Sequence, residues 1–128
     1  MQQIAFNEIS AAEVSAIPAM KQLKLFFAFN VDEDCLAGKP TDPRYGVIER
    51  DGRRIYRFRS DEDEYRIYFT IEQNADGDPV VVVQRVLHAD SLKDFLFRSG
   101  MGADEDNKLG KSRSFWKLID DGEKAARK

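Results

Sequence analysis

The stretch 53–71 constrains the fold more than any other part of this 128-residue chain. It contains two runs in which apolar and charged residues alternate, and an acidic segment separates them. Successive side chains of a β-strand point to opposite faces, so the alternation predicts two strands joined by a turn. Pairing these strands would place their apolar side chains on one face. It would bring Arg57, Arg59 and Arg66, here called the arginine cluster, together on the other.

The sequence allows two interpretations of the arginine cluster. Guanidinium groups on a rigid sheet suit the binding of phosphates or carboxylates, because each presents a planar fork of N–H donors. A sheet that meets water on one face gives the same alternation without any binding role. Alternation alone favours the solvated face and leaves the binding surface as the alternative.

Composition and charge limit the classes of protein to consider. Apolar residues make up 42% of the chain and charged residues 34%, which is typical of a globular domain. The net charge of −3 argues against a general nucleic-acid binder, whose domain is usually basic. Local charge differs from net charge, however, since arginines crowd between positions 50 and 59 and acids gather at 32–34, 61–64 and 104–106.

The N-terminus and the cysteine content predict a cytoplasmic protein. No basic segment followed by an apolar one opens the chain, and no apolar run is long enough for a membrane span. The single cysteine, Cys35, excludes an intrachain disulfide and follows three acids, so we interpret it as structural. One histidine and one cysteine, without carboxylates at ligand spacing or a glycine-rich phosphate loop, predict no metal and no cofactor.

The N-terminal part of the chain predicts a short strand followed by two helices. Residues 3–6 suit the strand, and Ser10 with Glu13 forms a capping-box pattern that predicts a helix over 10–16. Pro18 suits the first turn of a second helix, over about 18–29, and one helix kinked at this proline is the alternative. Apolar residues at helical spacing should face the core: Val14, Ile17, Met20, Leu23, Phe26 and Phe27.

The remaining elements follow from turn signals and apolar runs. A loop over 30–46 should lead into the sheet, and Asp51-Gly52 should form a tight turn between two strands. The valine-rich run 80–87 predicts a central strand covered on both faces, and 91–97 suits a short helix or an irregular segment. A mobile loop is expected over 99–110, and then a strongly apolar helix capped by Ser112 or Ser114.

His88 is the single histidine and stands where the valine-rich strand ends. A histidine at a strand end beside arginines suits a general acid or base. The alternative is a partly buried histidine that forms a structural hydrogen bond, and position alone favours this alternative.

Four short motifs occur in a characteristic order: Tyr56-Arg-Phe-Arg59, Tyr65-Arg-Ile-Tyr68, Val80-Val-Val-Val83 and Arg85-Val-Leu-His88. Together they resemble the RelE/ParE-like superfamily of toxins from bacterial toxin–antitoxin systems, over residues 3–98. The resemblance implies an α+β fold, with an N-terminal helical hairpin packed on a small antiparallel sheet. It divides the chain into a toxin-like domain, 1–98, and an extra loop and C-terminal helix, 99–128, packed on the same domain.

The resemblance implies one of two activities. RelE-like toxins cleave mRNA in the ribosomal decoding site, whereas ParE-like toxins poison DNA gyrase without cutting nucleic acid. In the RelE-like case Arg66 and His88 would be catalytic, with His88 taking the proton of the ribose 2′-hydroxyl. Arg57, Arg59 and Arg85 would bind or support the phosphate.

The chain also departs from the RelE-like pattern. Ala89 stands where a second arginine is expected, and Phe95 or Phe97 where a tyrosine is expected. The first hypothesis is a toxin-type translational repressor that cleaves mRNA on the ribosome, attenuated by these departures. The alternative is a ParE-like gyrase inhibitor or a catalytically inactive binding module. The departures make binding a better interpretation of the arginine cluster than cleavage.

Several partners follow from the resemblance. They are the ribosome with its mRNA, or DNA gyrase, and a cognate antitoxin whose acidic side chains lie opposite Arg57 and Arg66. A homodimer through the C-terminal helix is a further expectation, as is a stand-alone protein whose partner binds Phe115 and Trp116. No membrane partner is expected.

Overall fold

A five-stranded sheet between two layers of helices makes up the computed structural model, which describes residues 3–60, 64–96 and 105–126. The elements are β1 (Gln3–Phe6), α1 (Glu8–Ser15), α2 (Ala19–Ala28), α3 (Glu33–Leu36), β2 (Tyr45–Arg50), β3 (Arg53–Arg59), β4 (Tyr65–Gln73), β5 (Pro79–His88), α4 (Ala89–Leu96), α5 (Glu105–Gly110) and α6 (Arg113–Ala126). The α+β class is therefore confirmed.

The strand order is β1-β5-β4-β3-β2. Strands β2 to β5 are antiparallel neighbours, as predicted, whereas β1 pairs parallel with β5. The sheet is thus mixed, and its first strand precedes the helices. Short turns force antiparallel pairing on β2 to β5, but no short connection limits the direction of β1. The valine-rich strand β5 is interior, but the prediction that it is the central strand is wrong, because β4 occupies that position.

The turn between β2 and β3 has the predicted geometry. Asp51 and Gly52 both adopt positive φ values, 52° and 82°. Two consecutive left-handed residues match the twist of the flanking strands, which keeps Arg50 paired with Arg53.

Helix α1 begins earlier than predicted, because Asn7 and not Ser10 is its N-cap. The Asn7 side chain accepts from the Ser10 backbone at 2.7 Å, and the Ser10 hydroxyl accepts from the Asn7 backbone at 3.0 Å. Ser10 therefore closes the capping box rather than opening it. Asn7 Nδ2 also donates to the Gln84 carbonyl at 3.1 Å, which ties the start of α1 to β5.

One face of the sheet packs on α2 and α3 through an aromatic core. The ring of Phe29 lies 5.3 Å from that of Phe58 and 5.2 Å from that of Phe69. The predicted core stripe is wrong for three of its members, since Met20, Leu23 and Phe27 are 75%, 67% and 94% exposed.

The other face of the sheet packs on α5 and α6. Leu109, Phe115 and Ile119 are fully buried there, and the Phe115 backbone donates to the Ser112 hydroxyl, which caps α6. Part of the predicted loop 99–110 is therefore helix α5, while 97–104 lie outside the described residues. In the part of the chain that the structure describes, no helix has the length and apolar character to cross a membrane.

Gly122 allows α6 to lie directly on β5. A Cβ atom at this position would be 2.5 Å from the carbonyl oxygen of Gln84. This approach is too close for any side chain, so the residue must be glycine for the helix to pack at this distance.

Candidate functional site

Strand pairing places the arginine cluster on the sheet face that packs against α5 and α6. Arg59 lies directly opposite Arg66, and Arg57 lies opposite Tyr68. Like charges on directly opposed residues destabilise a sheet unless a counter-charge lies close to them. The cluster therefore requires anions from outside these two strands.

The first counter-charge is Glu105, the first residue of α5. Arg66 donates from Nε to Glu105 Oε2 at 3.2 Å and from Nη2 to Oε1 at 3.1 Å. Arg59 Nη2 donates to the same Oε2 at 3.3 Å. One carboxylate is thus shared between two guanidinium groups, in the bidentate geometry that arginine favours.

The second counter-charge is Asp106. Arg57 Nη2 donates to Asp106 Oδ2 at 2.7 Å, and Arg57 Nη1 donates to the Arg44 carbonyl at 2.7 Å. Gly46 leaves the space for this pair, since a Cβ atom there would lie 2.3 Å from Arg57 Nη2.

Burial distinguishes this cluster from an ordinary charged surface. The side chains of Arg66 and Glu105 are 1% and 3% exposed, and that of Arg57 is 8% exposed. The interpretation as a solvated sheet face is therefore wrong. Water does not stabilise charges that are buried this deeply, so each depends on its ion-pair partner. Removing one partner leaves an uncompensated charge in the interior.

Tyr68 belongs to the same site, although the sequence motifs assigned it no role. It is fully buried, and its ring packs edge-to-face on Phe115 at 5.0 Å. Burial, with smaller contributions from the carboxylates of Glu105 and Asp106, raises the pKa of Tyr68 far above its usual range. Its hydroxyl is therefore a neutral donor, and it has no hydrogen-bond partner among the described residues.

Arg85 forms hydrogen bonds with α1 and α6, whereas the arginine cluster pairs with α5. Its Nη2 donates to Glu13 of α1 at 2.7 Å, and its Nη1 donates to the Leu118 carbonyl of α6 at 3.2 Å. Arg85 therefore links α1 to α6.

His88 lies on the opposite face of the sheet from Arg66. It pairs with Tyr65, whose ring lies 5.1 Å from the imidazole and packs towards the α2 core. His88 Nδ1 accepts from the Asp90 backbone at 3.0 Å, and Nε2 lies 3.4 Å from Glu64 Oε1. The structure thus does not bring His88 together with the arginine cluster.

A cleft of about 150 Å³ lies on the His88 side of the sheet, lined by residues that include Lys21, Ser60, Glu64 and Tyr65. Lys21 Nζ donates to Glu64 at 2.6 Å. This hydrogen bond and the weaker one from His88 hold the pKa of Glu64 below its usual range. The charges bordering this cleft therefore include an internally paired lysine and glutamate.

The positions at which the RelE-like pattern has an arginine and a tyrosine lie in or beyond α4. Ala89 is the first residue of α4, Phe95 lies within this helix, and Phe97 lies outside the described residues. In the part of the chain that the structure describes, no group of three or more metal-ligating side chains occurs.

Comparisons of the chain with protein-family models, with curated proteins and with solved structures return no match. The resemblance to RelE/ParE-like toxins therefore rests on the sequence motifs.

Proposed function

We propose that the protein is a cytoplasmic, toxin-type translational repressor of RelE/ParE-like architecture, which binds the phosphates of mRNA through the arginine cluster. The observation that supports this proposal most is the convergence of three guanidinium groups, from neighbouring strands, on two carboxylates. Carboxylate and phosphate oxygens suit the same planar fork of donors. A surface that holds Glu105 and Asp106 therefore also suits consecutive phosphates of a single strand.

The geometry favours binding over cleavage. Attack by a 2′-hydroxyl requires a base within about 3 Å of its proton, directly or through one water. His88 lies on the other face, and its Nδ1 already accepts from the Asp90 backbone. Tyr68 shares the face of the cluster, but its raised pKa keeps the hydroxyl protonated, so no phenolate is present to act as the base. Ribosome-dependent cleavage of mRNA is the alternative function.

The test compares two arginines of the same strand. Arg59 belongs to the cluster, whereas Arg54 lies on the other face and binds Glu49, and their side chains are 34% and 43% exposed. We expect Arg59→Gln to weaken the binding of labelled single-stranded RNA about tenfold and to reduce its salt dependence by about one phosphate contact. Arg54→Gln should change the affinity less than about twofold by fluorescence anisotropy. Equal affinities for both variants and the parent protein would exclude the cluster as the binding surface.

A purified translation system separates the alternatives. Binding without cleavage predicts inhibited protein synthesis with intact mRNA. Cut mRNA on translating ribosomes would establish the nuclease instead. Inhibition of DNA supercoiling by gyrase, with translation unaffected, would establish the ParE-like alternative.

A further inference from the structure

Helix α5 fills the arginine cluster with two carboxylates of the same chain. Glu105 binds Arg59 and Arg66, and Asp106 binds Arg57, so each arginine of the cluster contacts α5. Acidic side chains opposite Arg57 and Arg66 are what the resemblance implies for a separate antitoxin. Here the chain provides them within its own C-terminal segment.

We infer that α5 is a built-in plug of the arginine cluster, which RNA phosphates displace when they bind. The inference rests on the proposed function, because it specifies how the same site is regulated.

The packing of α5 and α6 indicates which helix moves. Helix α5 buries one large apolar side chain, Leu109, whereas α6 buries Phe115, Trp116 and Ile119. Exposing apolar surface costs free energy in proportion to its area, so lifting α5 alone costs much less than lifting both helices. Helix α6 remains in place and keeps that face of the sheet covered.

The ion pairs of α5 are exchangeable in a way that apolar contacts are not. A phosphate that replaces Glu105 or Asp106 restores a counter-charge to each arginine, so no buried charge remains unpaired. The phosphate also offers an acceptor to the buried hydroxyl of Tyr68, which has none among the described residues.

A cleft of about 250 Å³ between β2 and α5 gives access to the plug. Its lining includes Arg50, Asp106 and Lys111, and the Asp106 side chain is 25% exposed. The outer pair, Arg57 with Asp106, therefore meets solvent before the fully buried pair of Arg66 with Glu105. Displacement should begin at Asp106.

A disulfide across this cleft provides the test. A Cβ atom at Gly110 would lie 3.2 Å from Ile48 Cγ2, so side chains at these two positions are in direct contact across the cleft. We therefore place the bridge in the double variant Ile48→Cys, Gly110→Cys. The native Cys35 does not compete, because it is buried and its pKa is raised to about 11, chiefly by desolvation.

The oxidised and reduced forms of this variant are compared for binding of labelled single-stranded RNA. We expect the oxidised form to bind at least about tenfold more weakly than the same protein after reduction. A second variant, Asp106→Asn, should bind about tenfold more tightly than the parent protein, because the outer pair is weakened. Its control is Asp120→Asn on α6. This variant makes the same change in charge, but at an ion pair with Arg53, which is not part of the arginine cluster.

The outcomes separate the plug from the proposed function. Equal RNA affinity of the oxidised and reduced forms would overturn the plug and leave RNA binding established. An equal gain in affinity for Asp106→Asn and Asp120→Asn would also overturn the plug, since it would reflect net charge alone. No RNA binding by any of these proteins, with thermal melts showing that they are folded, would overturn the proposed function and the plug with it.

Discussion

The two faces of the sheet are covered by different chemistry. On the α2 face, aromatic side chains pack around Phe29, with Tyr45, Phe58 and Phe69 as ring contacts. On the α6 face, an apolar cluster around Phe115 lies beside the buried ion pairs of the arginine cluster. A dissolved anion cannot replace the apolar packing around Phe29, whereas it can replace the carboxylates that pair with the arginine cluster. The α2 face therefore maintains the fold, and the α5 part of the other face is able to exchange partners.

The largest effect is expected from Phe29→Ala on the α2 face. Truncating a buried phenylalanine removes apolar burial and leaves a cavity, so we expect a loss of about 4 kcal/mol in the free energy of unfolding. Phe27→Ala, two residues earlier in α2, should change it by less than about 0.5 kcal/mol, because Phe27 is exposed. Urea denaturation measures both, and similar losses would contradict the assignment of Phe29 to the core and of Phe27 to the surface.

A smaller loss is expected from Glu105→Ala on the other face. It leaves Arg66 buried without its bidentate carboxylate, which should cost about 3 kcal/mol. Replacing Glu105 together with its buried partner, Glu105→Leu with Arg66→Met, should return the stability to within about 1 kcal/mol of the parent protein. The third member, Arg59, is 34% exposed, so its charge is still solvated in the double variant. If the double variant is as unstable as the single one, the loss does not come from an unpaired charge.

The smallest effect is a loss of protein stability at alkaline pH, caused by Cys35 in the core on the α2 face. The pKa of Cys35 is raised from 9.0 to about 11, with desolvation as the first cause. A thiol pKa that is higher in the folded than in the unfolded protein stabilises the fold. This contribution is complete below the unfolded-state pKa and is lost as pH rises through the folded-state pKa. Between pH 8 and 10.5 the parent protein should lose about 1–2 kcal/mol more than Cys35→Ala. If urea denaturation shows equal losses for the parent protein and Cys35→Ala, the loss does not come from Cys35.

Local pattern predicted the strands but not what covers them. Alternation correctly placed Arg57 and Arg66 on one face, because a strand has a period of two. It had no means of pairing them with Glu105 and Asp106, which lie 39 and 49 residues further along the chain. Their setting among glycines and acids favoured a loop, although they begin a helix.

Two errors follow from geometry that the sequence already contained. Arg85 and His88 are three residues apart in one strand, and an odd separation normally places side chains on opposite faces. In α2, repeated spacing of three residues drifts by about 60° per step around a helix of 3.6 residues per turn. The part of the stripe that lies in α2 therefore winds around this helix, and Met20, Leu23 and Phe27 face solvent.

Amide hydrogen exchange of α5 with and without single-stranded RNA tests the central claim most directly. A ligand usually protects the segment that it contacts. The plug predicts the opposite for α5, whose amides should exchange faster when RNA is bound, while those of β4 stay protected. Slower or unchanged exchange in α5, at RNA concentrations that saturate the protein, would contradict displacement of α5 from the arginine cluster.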